Sequence, residues 1–280
     1  MKRTPHHSFC FLIVPLAGIL ASLTRPAFTQ DDRSEKAAFK RWLDYYQNVA
    51  AAYDIRLESD KQTKLEVTRE PVMSYSHASE RVHGAFFLWT HKGRPELVGS
   101  IWSDDVGGGR RNVVHEFHSL ALGRLVPVRV GGRTWRPAPG LELKPIPNSQ
   151  KPKDSRPLRL AQMRLLAREF TGFSTPHGRE LRLRTPPQPL YRYASGEANL
   201  IDGAIFCMFA DWDPDLILLI EARGGKDGSQ WFYGIARFNA TPVRLEHNGT
   251  TVWESGLVPM SDPTSPFYAA VVESTRLSEM

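Results

Sequence analysis

The stretch GAFFLW at residues 84–89 returns 119 residues later as GAIFCM at residues 203–208. Four further pairs keep the same order and nearly the same spacing: PVMSY (71–75) with PLYRY (189–193), RPELV (94–98) with DPDLI (213–217), PVRV (127–130) with PVRL (242–245), and GRTW with GTTVW, which end at Trp135 and Trp253. Chance accounts for one or two such pairs. Five in one order predict the internal duplication of a module of about 118 residues.

A helix is predicted at the start of each copy. In residues 34–53 the helical spacing selects one face, formed by Phe39, Trp42, Leu43, Tyr46, Ala50 and Tyr53. In residues 155–170 it selects Met163, Leu166, Ala167 and Phe170. Ser34 and Ser155 are suitable N-caps, and Pro157 is tolerated in a first turn. These apolar faces indicate helices that pack on a core.

Short apolar runs after each helix predict antiparallel strands, separated by turn residues. In the first copy they are KLEVT, PVMSYS, GAFFLWT, ELVGSIW, VVHEFHSLAL and LVPVRV. In the second copy they are LRLRT, PLYRYA, GAIFCMFA, LILLIEA, WFYGIARF, PVRLEH and TTVW. Because LILLI (216–220) is apolar at every position, we expect that strand to be covered on both faces.

The sequence therefore predicts an α+β fold in which two tandem helix-plus-antiparallel-sheet repeats pack as a pseudo-dimer. The expected organisation is a signal peptide (1–29), a first α+β repeat (34–136), a proline-rich connector (137–157), a second α+β repeat (158–260) and a loose tail (261–280).

The first 29 residues have the pattern of a secretory signal peptide. A basic MKRTPHHSF precedes the apolar CFLIVPLAGILASL, and the sequence then becomes polar at TRPAFTQDD. The apolar run has 14 residues, fewer than the roughly 20 that a helix needs to cross a bilayer. We expect cleavage near residue 29 and a secreted or periplasmic protein, with an uncleaved membrane anchor as the alternative. No membrane span is expected in the mature chain.

Charge and cysteine content exclude several classes of function. The net charge of the chain is +6, but without the three basic residues of the leader 33 basic residues face 30 acidic ones. This balance is too mild for nucleic-acid binding, which needs a concentrated basic face. Cys207 would be alone in the mature chain, which excludes an intramolecular disulfide and a cysteine-based zinc site. No cofactor and no metal are expected.

The candidate functional residues lie in VVHEFHSLAL (113–122). Strand alternation points His115 and Phe117 one way and Glu116 and His118 the other, so the two histidines cannot bind one metal ion from a regular strand. HEFH is also one residue short of the zinc-protease spacing HExxH.

Two interpretations of this strand stay open. Glu116 and His118 share a face and are able to form a carboxylate–imidazole pair, with His115 or Asp104 as helpers. However, a gapless alignment of the two copies places His118 over Tyr233, which favours an ordinary half-buried strand position.

Several of these motifs resemble a family of uncharacterised secreted bacterial proteins. The resemblance is carried by HEFHSL, PQPLYRY, DGAIF and PDLILLIEAR, together with the arginine-rich RLAQMRLLAREF, and covers residues 65–253. It implies a leader peptide and export, and it carries no catalytic role over to any residue.

We therefore expect an exported, non-enzymatic binding or interaction module. Its seven tryptophans suit stacking on a carbohydrate or another flat small molecule. The alternative is a hydrolase or metal-dependent enzyme with its site around Glu116 and His118, helped by His115. A scaffold of the cell envelope is a third hypothesis.

Overall fold

The computed structural model describes residues 30–77, 81–195, 199–226 and 228–279, so the expected signal peptide lies outside the described residues. The chain divides into the units Met1–Ala37 and Ala38–Met280, and all contacts reported below lie within the second unit. No helix in the described ranges is long and apolar enough to cross a membrane.

Seventeen strands, two α-helices and two short 3₁₀ helices (Pro176–Gly178 and Leu277–Glu279) make up the regular structure of the described residues. The helices are α1 (Gln30–Ala52) and α2 (Arg156–Arg168). The strands are β1 (Glu66–Val67), β2 (Met73–His77), β3 (Val82–His91), β4 (Arg94–Gly107), β5 (Arg110–Ser119), β6 (Val128–Val130), β7 (Arg133–Trp135), β8 (Lys144–Pro145), β9 (Phe170–Ser174), β10 (Leu181–Arg182), β11 (Tyr191–Tyr193), β12 (Leu200–Phe209), β13 (Pro214–Gly225), β14 (Gly228–Arg237), β15 (Val243–His247), β16 (Thr250–Ser255) and β17 (Phe267–Arg276).

Of the two predicted helix N-caps, one is confirmed and one is wrong. The N-cap of α2 is confirmed, because the Ser155 side chain accepts a hydrogen bond from the backbone N–H of Leu158. The N-cap of α1 is wrong, since that helix begins at Gln30, four residues before Ser34.

Within the described residues the strands form four antiparallel sheets. Sheet A has the order β1-β3-β4-β5-β17, with β2 also paired to β3. Sheet B has the order β11-β12-β13-β14-β8, and sheet C has the order β10-β9-β15-β16. The strands β6 and β7 form a separate hairpin.

Sheets A and B pack face to face through one apolar cluster. Sheet A contributes Phe86, Leu88 and Val98 to it, and sheet B contributes Ile205, Cys207, Ile217 and Leu219. We call the face of sheet A that carries these residues its inner face. Burial of this face is the main apolar contact between the two sheets.

Each of these two sheets is covered on its other face as well. Trp42, Tyr46 and Ala50 of α1 pack on a cluster that includes Phe87, Trp89, Ile101 and Phe117 of sheet A. On sheet B, residues from α2 and sheet C pack against Leu216, Leu218 and Ile220. All five residues of LILLI have no exposed surface, so the expectation that this strand is covered on both faces is confirmed.

The predicted α+β pseudo-dimer of two helix-plus-sheet repeats is wrong, because the molecule is mostly β and its sheets cross the predicted boundaries. Part of the expected loose tail forms β17, which pairs with β5 of sheet A. Part of the expected connector forms β8, which pairs with β14 of sheet B. Both strands cap edges that would otherwise leave unpaired backbone N–H and C=O groups.

The repeated motifs occupy partly similar positions. Tyr75 lies opposite Gly84 in sheet A, and Tyr193 lies opposite Gly203 in sheet B. A Cβ atom at Gly84 would lie 2.6 Å from the Tyr75 hydroxyl, and one at Gly203 would lie 2.5 Å from the Tyr193 ring. Each tyrosine therefore needs a glycine beneath it.

The tryptophans that end the two copies differ in position. Trp135 lies opposite Val128 in the β6–β7 hairpin, whereas Trp253 lies opposite Leu245 in sheet C. Trp135 is also fully buried, while Trp253 is only partly buried.

A buried ionic cluster joins sheets A and B. Arg94 Nε donates to Glu221 Oε1 at 2.9 Å, and its Nη1 donates to Glu96 Oε2 at 2.9 Å. Glu221 also accepts from the Tyr193 hydroxyl at 2.8 Å and from Arg223 at 2.5 Å. The Glu221 side chain has no exposed surface, so its charge depends entirely on these partners.

We expect the substitution Glu221→Ala to lower the free energy of unfolding by about 3–5 kcal/mol, because it removes the buried carboxylate shared by Arg94, Arg223 and the Tyr193 hydroxyl and leaves Glu96 as the one remaining described carboxylate bonded to Arg94. Urea unfolding followed by circular dichroism measures this loss. The matched control is Glu180→Ala, which breaks the exposed ion pair with Arg244 and should cost no more than ~1 kcal/mol. Equal losses in the two variants would contradict a structural role for the cluster.

Candidate functional site

The strand β5 divides the candidate residues between its two faces. Phe117 packs in the cluster beneath α1, and His115 Nδ1 lies 2.5 Å from the hydroxyl of Tyr53, on the same side. Glu116 and His118 lie on the inner face of sheet A, where Glu116 is bonded to Trp102. The two histidines therefore lie on opposite sides of the sheet. Among the described residues, no group of three or more His, Cys, Asp or Glu side chains is arranged to hold a metal ion.

Glu116 is a buried carboxyl group with one indole partner. Trp102 Nε1 donates to Glu116 Oε2 at 3.2 Å. Burial and, to a smaller extent, the charge of the nearby Asp213 together raise the pKa of Glu116 to about 8, although the hydrogen bond from Trp102 acts in the opposite direction. At neutral pH the carboxyl group is therefore mostly protonated.

His118 is engaged by the backbone. Its Nδ1 lies 2.7 Å from the carbonyl oxygen of Ser119, and because a carbonyl only accepts, Nδ1 carries the proton. Burial lowers the pKa of His118 to about 4, so the ring is neutral at pH 7. In the described part of the chain no hydrogen bond joins Glu116 to His118, and the two side chains do not form the carboxylate–imidazole pair.

The sheet register gives His118 a different counterpart in the second copy from the one in the gapless alignment. His118 lies opposite Val98 on the inner face of sheet A, and Ala236 lies opposite Ile217 in sheet B. Since Val98 and Ile217 occupy matching places in RPELV and DPDLI, the counterpart of His118 is Ala236. The alignment with Tyr233 is wrong by three residues, and Tyr233 faces the α2 side of sheet B.

An open groove of about 750 Å³ borders the inner face near the tip of the β4–β5 hairpin. We call it the Trp102 groove. Its lining residues come from sheet A, the β6–β7 hairpin and the segment before β17: Val82, Trp102, Asp104, Asn112, Val114, Gly131, Arg133, Met260, Ser261, Ala269, Ala270 and Val271. The half-buried Trp102 connects this groove to Glu116, because the residue lines the groove and its Nε1 donates a hydrogen bond to the carboxyl group.

Polar side chains stand beside the indole in the Trp102 groove. Asp104 and Asn112 lie directly opposite each other in the β4–β5 ladder, and Arg133 is exposed on β7. Within the described ranges the side chains of these three residues make no hydrogen bond to the protein. To a ligand, Asp104 offers hydrogen-bond acceptors, Asn112 offers both a donor and an acceptor, and Arg133 offers cationic donors.

The candidate residues thus fall at three different places. Glu116 lies behind the Trp102 groove, Asp104 lies in it, and His118 is held by the backbone of Ser119. His115 lines a separate pocket on the other face of sheet A.

Sequence reasoning missed Trp102, Asn112 and Arg133 as site residues. The sequence did not indicate their pairing, because the β4–β5 hairpin contains a bulge. Gly107 lies opposite Arg110, so counting outward from the tip would place Asp104 opposite Val113. One extra residue in β4, Val106, instead places Asp104 opposite Asn112 and Trp102 opposite Val114.

No protein-family model matches this chain, and no curated protein sequence matches it. The chemistry of the site therefore rests on its own geometry.

The raised pKa of Glu116 predicts how Glu116→Gln changes stability with pH. In the unfolded chain the carboxyl group titrates near its ordinary pKa of 4.5, whereas in the folded protein it titrates at about 8. Between these values the unfolded state releases the proton first, so the wild-type protein loses stability as the pH rises, by up to ~1.4 kcal/mol per pH unit.

Glu116→Gln removes this loss while keeping an oxygen acceptor for Trp102. We expect the stability of the variant relative to the wild type to increase by several kcal/mol between pH 4.5 and pH 8. Urea unfolding of both proteins at matched pH values measures the difference, in which all other titrating groups cancel. Parallel stability profiles from pH 4.5 to pH 8.5 would refute the buried, protonated state of Glu116.

Proposed function

We propose that this chain is an exported, non-enzymatic binding protein that holds a carbohydrate in the Trp102 groove. The observation that carries the proposal is a half-buried indole whose Nε1 is already bonded, beside three polar side chains that have no hydrogen bond among the described residues.

The state of the indole favours stacking. Because Trp102 Nε1 donates to Glu116, the polar edge of the ring is satisfied and its apolar face is the part left for a ligand. The C–H face of a sugar ring packs well on such a surface. Glu116 also limits the rotation of the indole, so the platform is pre-organised before a ligand binds.

The surroundings of the indole match the hydroxyl groups of a sugar. Asp104 accepts hydrogen bonds, Asn112 both accepts and donates, and Arg133 donates. The volume of about 750 Å³ lies within the range of roughly 300–1,000 Å³ that small-molecule sites occupy. A short oligosaccharide therefore fits the groove in both size and polarity.

The same contacts favour binding over hydrolysis. A hydrolase built on Glu116 and His118 needs both groups to reach one substrate. Glu116 instead bonds Trp102, and His118 bonds the Ser119 carbonyl. A carboxyl group with a pKa of about 8 does have the acidity of a general acid, so a test of turnover belongs with the binding experiments.

Export is proposed from the leader sequence and from the resemblance to secreted bacterial proteins. An origin by duplication is proposed for the central strands. It is supported by the matching pairs Tyr75–Gly84 and Tyr193–Gly203, and by the shared order of the five sequence motifs.

Binding to a panel of neutral, acidic and amino-sugar oligosaccharides, measured by isothermal titration calorimetry, tests the proposed ligand class. We expect at least one oligosaccharide to bind the purified protein with 1:1 stoichiometry. Trp102→Ala should weaken that binding at least ten-fold because it removes the stacking surface, and Trp102→Phe should retain part of it.

The matched control for this experiment is Trp253→Ala. Trp253 is also partly buried but lies in sheet C, and we expect this variant to bind within two-fold of the wild type. The proposal fails if no oligosaccharide binds, or if both alanine variants weaken binding equally. Cleavage of a bound oligosaccharide that His118→Ala abolishes would establish the hydrolase instead.

Expression of the full chain in a bacterial host, followed by cell fractionation and N-terminal sequencing, tests export. We expect a processed form outside the cytoplasm that begins near Gln30, with a variant lacking residues 1–29 remaining in the cytoplasm. A full-length chain that stays in the cytoplasmic or membrane fraction would contradict export.

A further inference from the structure

The other face of β5 carries a second cavity, which has no part in the carbohydrate proposal. This open pocket of about 590 Å³ lies where the end of α1 meets β5 and the β6 segment. We call it the His115 pocket. Its lining includes Val49, Ala52, His115, Val126, Val128 and Arg129.

The walls of the His115 pocket are mainly apolar. Val49 and Ala52 contribute from α1, and Val126, Pro127 and Val128 contribute from the opposite side. An apolar cavity of this size takes a ligand with a hydrocarbon or aromatic body.

One ring nitrogen of His115 lacks a hydrogen-bond partner in the described part of the chain. The residue is 4% exposed, and its Nε2 atom is buried with no hydrogen-bond partner among the described residues. Its Nδ1 lies 2.5 Å from the Tyr53 hydroxyl. A phenol is a much stronger acid than the N–H of a neutral imidazole, so Tyr53 donates this hydrogen bond and the proton of the ring lies on Nε2.

The protonation states of the two groups agree with this assignment. Burial lowers the pKa of His115 to about 4, so the ring is neutral at physiological pH, and burial raises the pKa of Tyr53 above its ordinary value, so the phenol keeps its proton. The unpartnered Nε2–H needs an acceptor, and an unsatisfied buried donor costs about 1–3 kcal/mol.

The charge around the pocket favours an anionic acceptor. Asp54 is neutralised by Arg56, which donates to it through Nε at 2.8 Å and Nη2 at 3.1 Å. Arg129 is exposed on the rim and makes no hydrogen bond to the described residues. The net charge of the lining is therefore positive.

We propose that the His115 pocket binds a small amphipathic carboxylate, with its apolar body against Val49 and Val128 and its carboxylate toward Arg129, and that binding uncovers the buried His115 Nε2, which then donates to the same carboxylate. The apolar walls select the body of the ligand, and the unpartnered imidazole and the free guanidinium select its head group. This site is separate from the Trp102 groove, and either can fail without the other.

Isothermal titration calorimetry of the purified protein with octanoate tests this site, with octan-1-ol as the matched uncharged ligand. We expect octanoate to bind with 1:1 stoichiometry and at least ten-fold more tightly than octan-1-ol, because the alcohol lacks the charge. His115→Phe keeps a ring of similar size but removes the donor, and it should weaken octanoate binding at least ten-fold.

Arg129→Gln provides a second test at an exposed residue, where folding is not at risk. It should weaken octanoate binding about three- to ten-fold and leave octan-1-ol binding unchanged. The control Arg136→Gln removes another exposed arginine outside both cavities, and Trp102→Ala changes the groove and the partner of Glu116 on the other face of sheet A, so both variants should bind octanoate like the wild type.

The proposal is overturned if octanoate does not bind, if octan-1-ol binds equally well, or if Arg129→Gln and Arg136→Gln have the same effect. Loss of octanoate binding in Trp102→Ala would also overturn it, because the ligand would then occupy the groove.

Discussion

The central strands are apolar at consecutive positions, and a strand whose side chains alternate can bury such a sequence only if both of its faces are covered. The rest of the fold follows from this constraint. One face of each sheet is covered because the inner faces of sheets A and B pack on each other. The outer faces need separate cover, which α1 provides for sheet A and which α2 and sheet C provide for sheet B. The helices of this mostly β protein are therefore covers for sheets, and each buries one aromatic or apolar stripe.

The same alternation determines the chemistry of β5. Neighbouring residues in this strand point into different parts of the molecule, so His115 belongs to a pocket beneath α1 and Glu116 to the interface between the sheets. Burial of the inner face then decreases along β4 toward the hairpin tip: Val98 is fully buried, Ser100 is 1% exposed, and Trp102 is only half-buried. The Trp102 groove lies where the cover of sheet A ends. Two cavities of different character thus border one strand.

Local sequence patterns predict many of the strands and one of the helix caps. The strands β3, β4, β12 and β13 and the cap of α2 could be predicted because apolar runs, turn residues and Ser155 are all local signals. The strands β8 and β17 could not, since each forms only because a distant edge is free to pair with it. For the site, alternation separated His115 from Glu116. The partner of His115 is Tyr53, 62 residues away, and no local pattern indicates which helix covers which face.

Two buried carboxyl groups at the interface between sheets A and B, those of Glu221 and Glu116, have opposite electrostatic surroundings. Glu221 accepts hydrogen bonds from Arg94 and Arg223 and is thus matched by two cations. Glu116 accepts one hydrogen bond, from the neutral Trp102 indole, and the nearby Asp213 adds a like charge. The first arrangement holds the sheets together through charge, whereas the second favours the protonated acid. A neutral Glu116 orients the indole without placing a charge behind it. An uncharged ring face is the surface on which the C–H groups of a sugar pack. The protonated state of Glu116, which cannot act as a resting base, is therefore compatible with the carbohydrate platform that we propose.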